Sequence, residues 1–289
     1  MSMDVLQERI RKTKCPLIVD FSFKTEHIPA ALREGKPEKD AYVSYCFGLM
    51  EALRQKCAGV RFSFDRFALM GALEELSALL KQAVEHGFYV LLDGPNVLSS
   101  WGAEAAAQTL FEENGKYPCH GLILSPWIGS DGIKPFLPYC KEQGKSVFFA
   151  VRSANKTAAE LQDLMTGGRL THVAAADIVN RHGEPIFGKC GYSHVGALTA
   201  ATNAAAVSGL RNKYKRMFLL VDGIDYPGGN AKNCSLAFDR LGHGAAVCAG
   251  SDVTAAWIQA DSDGSDYADL AVKSVERLKG NIARYISIL

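Results

Sequence analysis

Short apolar runs alternate along the chain with longer stretches in which apolar residues recur at helical spacing, a pattern of repeated βα units. The candidate strands are 16–21, 59–62, 88–93, 121–125, 146–151, 186–191, 217–221 and 244–249. Helical stretches separate them; over 65–86, for example, Phe67, Met70, Leu73, Leu76, Leu79 and Leu80 share one face. Gly87, Gly144 and Gly242 stand just before strands, where a left-handed turn favours glycine. Eight such units predict an α/β fold, a closed (β/α)8 TIM barrel. A doubly wound open sheet is the alternative. No linker-like stretch or internal repeat divides the chain, so 1–289 reads as a single domain.

Composition narrows the picture. A length of 289 residues suits one α/β barrel, and 48% hydrophobic content is enough for a full core. The 32 Lys plus Arg nearly balance 31 Asp plus Glu, for a net charge of +1. With no basic tract, nothing points to nucleic acid. No apolar run reaches the roughly 18 residues of a membrane span. Residues 1–14 alternate charged and apolar positions like an amphipathic helix, without a signal-peptide core. Eight cysteines, with no Cys-x-x-Cys pair, read as buried, reduced thiols in a cytoplasmic protein. The sequons at Asn155 and Asn233 then carry no meaning.

Several strands end in a carboxylate: Asp20, Asp93 and Asp222, with Asp225 and Asp252 in the loops that follow. At the C-terminal face of a barrel such groups converge on one opening. They suit a divalent cation or a cationic ligand. The preferred reading is helix capping, or pairing of Asp20 with Lys24 and of Asp93 with Arg61. Asn96 and Asn155 are placed to orient a small ligand or to make turns. Trp101 and Trp127 suit stacking on a base or packing in a core. Ser193 and His194 are adjacent, but no nucleophile elbow surrounds them. The histidines, His27 among them, are scattered without the spacing of a zinc helix, so no metal and no cofactor is expected.

One segment is more specific. Leu124-Ser125-Pro126-Trp127-Ile128-Gly129-Ser130-Asp131-Gly132-Ile133 resembles the strand-four exit of the orotidine 5′-monophosphate (OMP) decarboxylase family in its long bacterial form. Residues 160–164, the stretch Gly191-Tyr192-Ser193-His194-Val195-Gly196-Ala197, and Gly223 with Gly228-Gly229 resemble the same family at matching places. The similarity runs with gaps from about Met3 to Trp257.

The resemblance implies a charged network of alternating Lys and Asp, in which one Lys protonates the carbanion left by CO₂. Its Asp-x-Lys-x-x-Asp motif falls on Asp93-Gly94-Pro95-Asn96-Val97-Leu98. The proton-donor Lys is therefore Pro95, and the second Asp is Leu98. Arg61 takes the strand-two Lys position, and its guanidinium, with a pKa above about 12, is a poor proton donor. The family's nucleoside-contacting Asp falls on Ser22, its pyrimidine-side Ser on Ala154, its loop Gln on Pro227 and its phosphate-gripping Arg on Ser251.

The expected site is thus Asp93 and Arg61 as remnants of the catalytic network, with Asp20, Asn96, Asn155, Ser193, Asp222 and Asp252 as ligand contacts. The expected function is a barrel of the pyrimidine-biosynthesis family that has lost decarboxylation and binds a small polar metabolite or a protein partner. Family members are dimers, which implies a homodimer here, or pairing with an intact paralogue. The alternatives are authentic OMP decarboxylation and a divergent lyase acting on another small polar substrate.

Overall fold

The computed structural model describes residues 2–288; of the amphipathic N-terminal stretch, Met1 lies outside the described residues. Eight parallel strands close into one barrel: β1 (Leu17–Asp20), β2 (Gly59–Ser63), β3 (Tyr89–Asp93), β4 (Gly121–Leu124), β5 (Ser146–Ala150), β6 (Val195–Ala200), β7 (Leu219–Asp222) and β8 (Ala245–Ala249). Each pairs with its sequence neighbours, and β8 pairs with β1. Helices lie between the strands, so the chain is a single-domain TIM barrel.

The strands are apolar on both faces, yet the two faces pack differently because side chains alternate with a period of two. Ile18, Leu91, Ile123, Phe148, Leu198, Phe218, Leu220, Ala246 and Cys248 form the barrel interior. Leu17, Val19, Val60, Phe62, Val90, Leu92, Val147 and Phe149 join the layer shared with the helices. The N-terminal helix Ser2–Thr13 places Met3, Leu6 and Ile10 in the interior cluster and closes the bottom of the barrel. The Ser2 hydroxyl holds it there, 2.7 Å from Tyr89 Oη and donating to the His120 carbonyl at 2.9 Å.

Two local expectations are corrected. The sixth strand is Val195–Ala200, not 186–191, where Phe187 only bridges back to Ser193. Val-Gly-Ala-Leu-Thr-Ala has weak strand propensity on its own, but packing demands small residues here. A Cβ at Gly196 would lie 2.5 Å from the Phe218 carbonyl oxygen and 2.7 Å from the Phe148 ring. The stretch 65–86 is two helices, Phe64–Leu69 and Leu73–Glu85, separated at Gly71 with φ of 65°. Gly87, Gly144 and Gly242 do take positive φ, at 78°, 67° and 74°.

All eight cysteines are free, and all but Cys190 are buried. Trp101 and Trp127 are 76% and 66% exposed, so the core-packing alternative is wrong for both. Among the described residues, no helix is long and apolar enough to cross a membrane.

Candidate functional site

The inward parity that places Ile18, Leu91 and Leu220 inside the barrel continues two residues further, to Asp20, Asp93 and Asp222. Those three carboxylates therefore end their strands facing one another at the C-terminal mouth. Arg61, paired in register beside Asp20 on β2, extends its guanidinium between them. Its Nε and Nη2 both donate to Asp93 Oδ2, at 3.0 and 2.7 Å. Its Nη1 donates to Asp222 Oδ2 at 3.2 Å and lies 3.3 Å from Asp20 Oδ2. The Arg61 side chain is only 10% exposed.

Three carboxylates against one guanidinium leave the cluster short of positive charge. Burial, opposed by Arg61 and reinforced by Asp20 and Asp222, pushes the Asp93 carboxyl up to about 6. Burial also raises Asp20, with Arg61 opposing and Asp222 adding to the rise. Burial works against the charge on Arg61, but its three carboxylate neighbours outweigh that and hold it protonated. The guanidinium fills the place between the strand-end carboxylates that a cation would take. Among the described residues, no group of three or more His, Cys, Asp or Glu side chains is arranged to hold a metal ion.

Above the cluster opens a cavity of about 500 Å³. Asp20, Arg61, Asp93 and Asp222 form its floor; Ser22, Lys24, His27, Asp225, Tyr226 and Ser251 stand around it. Asp20 pairs with Arg61 rather than with Lys24, whose ammonium bonds Glu26 at 3.2 Å. His27 Nδ1 is buried without a hydrogen-bond partner among the described residues, and burial lowers its pKa.

The other expected ligand contacts are not brought to this cavity. Ser193 lies just before β6, at the opposite end of the barrel, buried and donating to the Gly183 carbonyl at 2.9 Å. Its misplacement follows from the misplaced sixth strand. Asp252, in the helical turn Ser251–Thr254, faces away: Arg277 Nη2 is 3.3 Å from Oδ2, and Gln259 Nε2 donates to Oδ1 at 3.2 Å. Asn96 is exposed and donates to Asp65 Oδ2 at 3.0 Å. Asn155 accepts from Ser153 Oγ at 2.6 Å and donates to Thr157 Oγ1 at 3.1 Å, which organises its own turn. Pro95 and Leu98 lie outside the cavity lining, and Leu98 is 79% exposed. His27 and Tyr226 were missed as cavity residues; the available signal was their position in the loops after β1 and β7.

The fold and mouth define an α/β barrel with a charged cluster at its C-terminal face. No protein-family profile matches the chain. It is 27% identical over 295 residues to orotidine 5′-phosphate decarboxylase of Caldicellulosiruptor bescii, covering 94% of this chain and 96% of that one. It is 26% identical to the same-named protein of Clostridium kluyveri, covering 98% of each. Among solved structures, Leishmania donovani OMP decarboxylase superposes with a TM-score of 0.72 at 23% identity, covering 96% and 99% of the two chains. The Plasmodium berghei enzyme of that name gives 0.73 at 12%, covering 97% and 99%. This chain is a near-full-length relative of the orotidine 5′-phosphate decarboxylases in sequence, and shares their barrel.

Proposed function

We propose that this barrel no longer decarboxylates OMP and instead holds a small polar metabolite at its mouth. The observation that carries the reading is the absence of an ammonium at the charged cluster. Among the described residues lining the cavity, the lysine is Lys24, which is 73% exposed and engaged by Glu26. Pro95 offers no proton, and Leu98 offers no carboxylate. Losing one preorganised electrostatic contact costs roughly 10²–10³ in rate; losing a proton donor with its partner removes a unit whose members do not act independently. The names of the relatives favour the opposite reading, retained OMP decarboxylation, and one assay separates the two.

Purified protein at high concentration, followed by UV absorbance with OMP, is expected to show no turnover beyond that of an Arg61→Ala/Asp93→Ala control. Turnover present in the wild type and lost in the control would overturn the proposal.

We propose further that the mouth face pairs with a second copy of the chain. Leu98 and Trp101 after β3 and Trp127 after β4 are 79%, 76% and 66% exposed, and large apolar side chains on neighbouring loops of one face suit burial against a partner. Light scattering after gel filtration should give a dimer for the wild type and a monomer for Leu98→Glu/Trp101→Glu. A monomeric wild type would refute this.

A further inference from the structure

The loop after β7 is held tightly. It turns through Gly223 at φ 72°, and the Tyr226 N–H donates to the Gly223 carbonyl at 3.2 Å. The Gly229 N–H donates to the Tyr226 carbonyl at 2.8 Å, and a Cβ at Gly229 would sit 1.9 Å from the Gly223 oxygen. This pinned loop carries Asp225 across to the exit of β8. There Asp225 Oδ2 accepts from the Gly250 N–H at 3.2 Å, the Ser251 N–H at 2.8 Å and Ser251 Oγ at 3.0 Å. Three donors thus converge on one carboxylate oxygen of the chain itself.

In α/β barrels, the loops after the seventh and eighth strands and the short helix that follows frequently form a phosphate site. Here those elements are Asp225, Gly250 and Ser251, and the donors that would face a phosphate already face a carboxylate. We propose that Asp225 is a built-in anion that closes this subsite, so that the mouth admits ligands without a phosphate group. The inference rests on reading the mouth as a ligand site.

Two effects add. An incoming phosphate must first displace the carboxylate from its three donors. It must then sit beside the displaced Asp225 and near Asp20 and Asp222, where Arg61 is committed to three carboxylates and Lys24 is engaged by Glu26. Like-charge juxtaposition of this kind is how a site rejects a ligand. The ligand class that remains is neutral or cationic and rich in hydrogen-bond donors, since the cavity floor presents carboxylate acceptors.

The test is titration of ¹⁵N-labelled wild type, Asp225→Ser and Asp225→Asn with inorganic phosphate and with uridine 5′-monophosphate. The Gly250 and Ser251 amide resonances are followed, and thermal unfolding checks each variant. In the wild type these amides should stay unmoved at millimolar anion. In Asp225→Ser they should shift saturably, with at least about tenfold tighter binding. Asp225→Asn, which keeps the shape and loses the charge, should fall between and serves if the serine variant folds poorly. Equal binding by wild type and both variants would overturn the proposal, as would unmoved amides in folded variants. OMP turnover by the wild type would instead overturn the functional reading; the titration with inorganic phosphate needs no chemistry and judges the closure by itself.

Discussion

Arg61→Ala is expected to lower stability by about 3–5 kcal/mol at pH 7.5, a fall of roughly 6–10 °C in Tm for a domain of this size. The guanidinium is the shared partner of Asp20, Asp93 and Asp222 at 2.7–3.3 Å. Removing it leaves three carboxylates facing one another in a partly desolvated mouth. Their exposures of 16%, 23% and 25% let cavity water screen part of that repulsion, which argues for the lower end of the range. The loss should shrink at pH 4.5, where the carboxyls take up protons in place of the missing cation. Thermal unfolding at the two pH values checks it. An equal loss at both would mean that Arg61 contributes packing of its alkyl stem instead of charge.

Asp93→Asn is expected to change how stability depends on pH. The folded Asp93 carboxyl, at about 6, lies above the usual unfolded value near 3.9. The folded state therefore binds the proton more tightly than the unfolded chain does. Its contribution is fully present below about pH 4 and is lost as pH rises through about 6. Asparagine cannot titrate, so the variant should gain on the wild type across that window, by about 1–3 kcal/mol at pH 7 relative to pH 4. Asp163, Asp177 and Asp239 are held below the usual carboxylate range and act in the opposite sense. Only the difference between variant and wild type isolates Asp93. A difference that stays constant from pH 4 to 7 would show that Asp93 is not perturbed in the folded state.

Seven of the eight strands were legible because each is a short, mainly apolar run set between helical stretches, even β2, which Arg61 interrupts. The sixth was not, because its small residues fit the space between Phe148 and Phe218, and that space exists only once β5 and β7 are in place. The error carried over to the site: Ser193 reads as a mouth residue only if the strand precedes it. Asp252 misleads for a related reason. Its position after β8 suggested the opening, but the turn Ser251–Thr254 rotates it toward Arg277 on the helix Tyr267–Ala283. Asp225, one loop earlier, carries no sequence mark that separates it from Asp252, and it is the one that lines the cavity.

By itself, the order of residues determined the repeated βα units, made a closed barrel the first choice over an open sheet, put Asp20, Asp93 and Asp222 at strand ends and put Arg61 within β2. Those follow from local pattern, since short apolar runs between helical periods mark the strands and the polar residue that ends a run marks its exit. Only the tertiary structure decided that one guanidinium gathers three carboxylates, and that Asp225 lies on the Gly250 and Ser251 amides. Both depend on hydrogen bonds between segments far apart in the chain, whose geometry is set when the barrel closes.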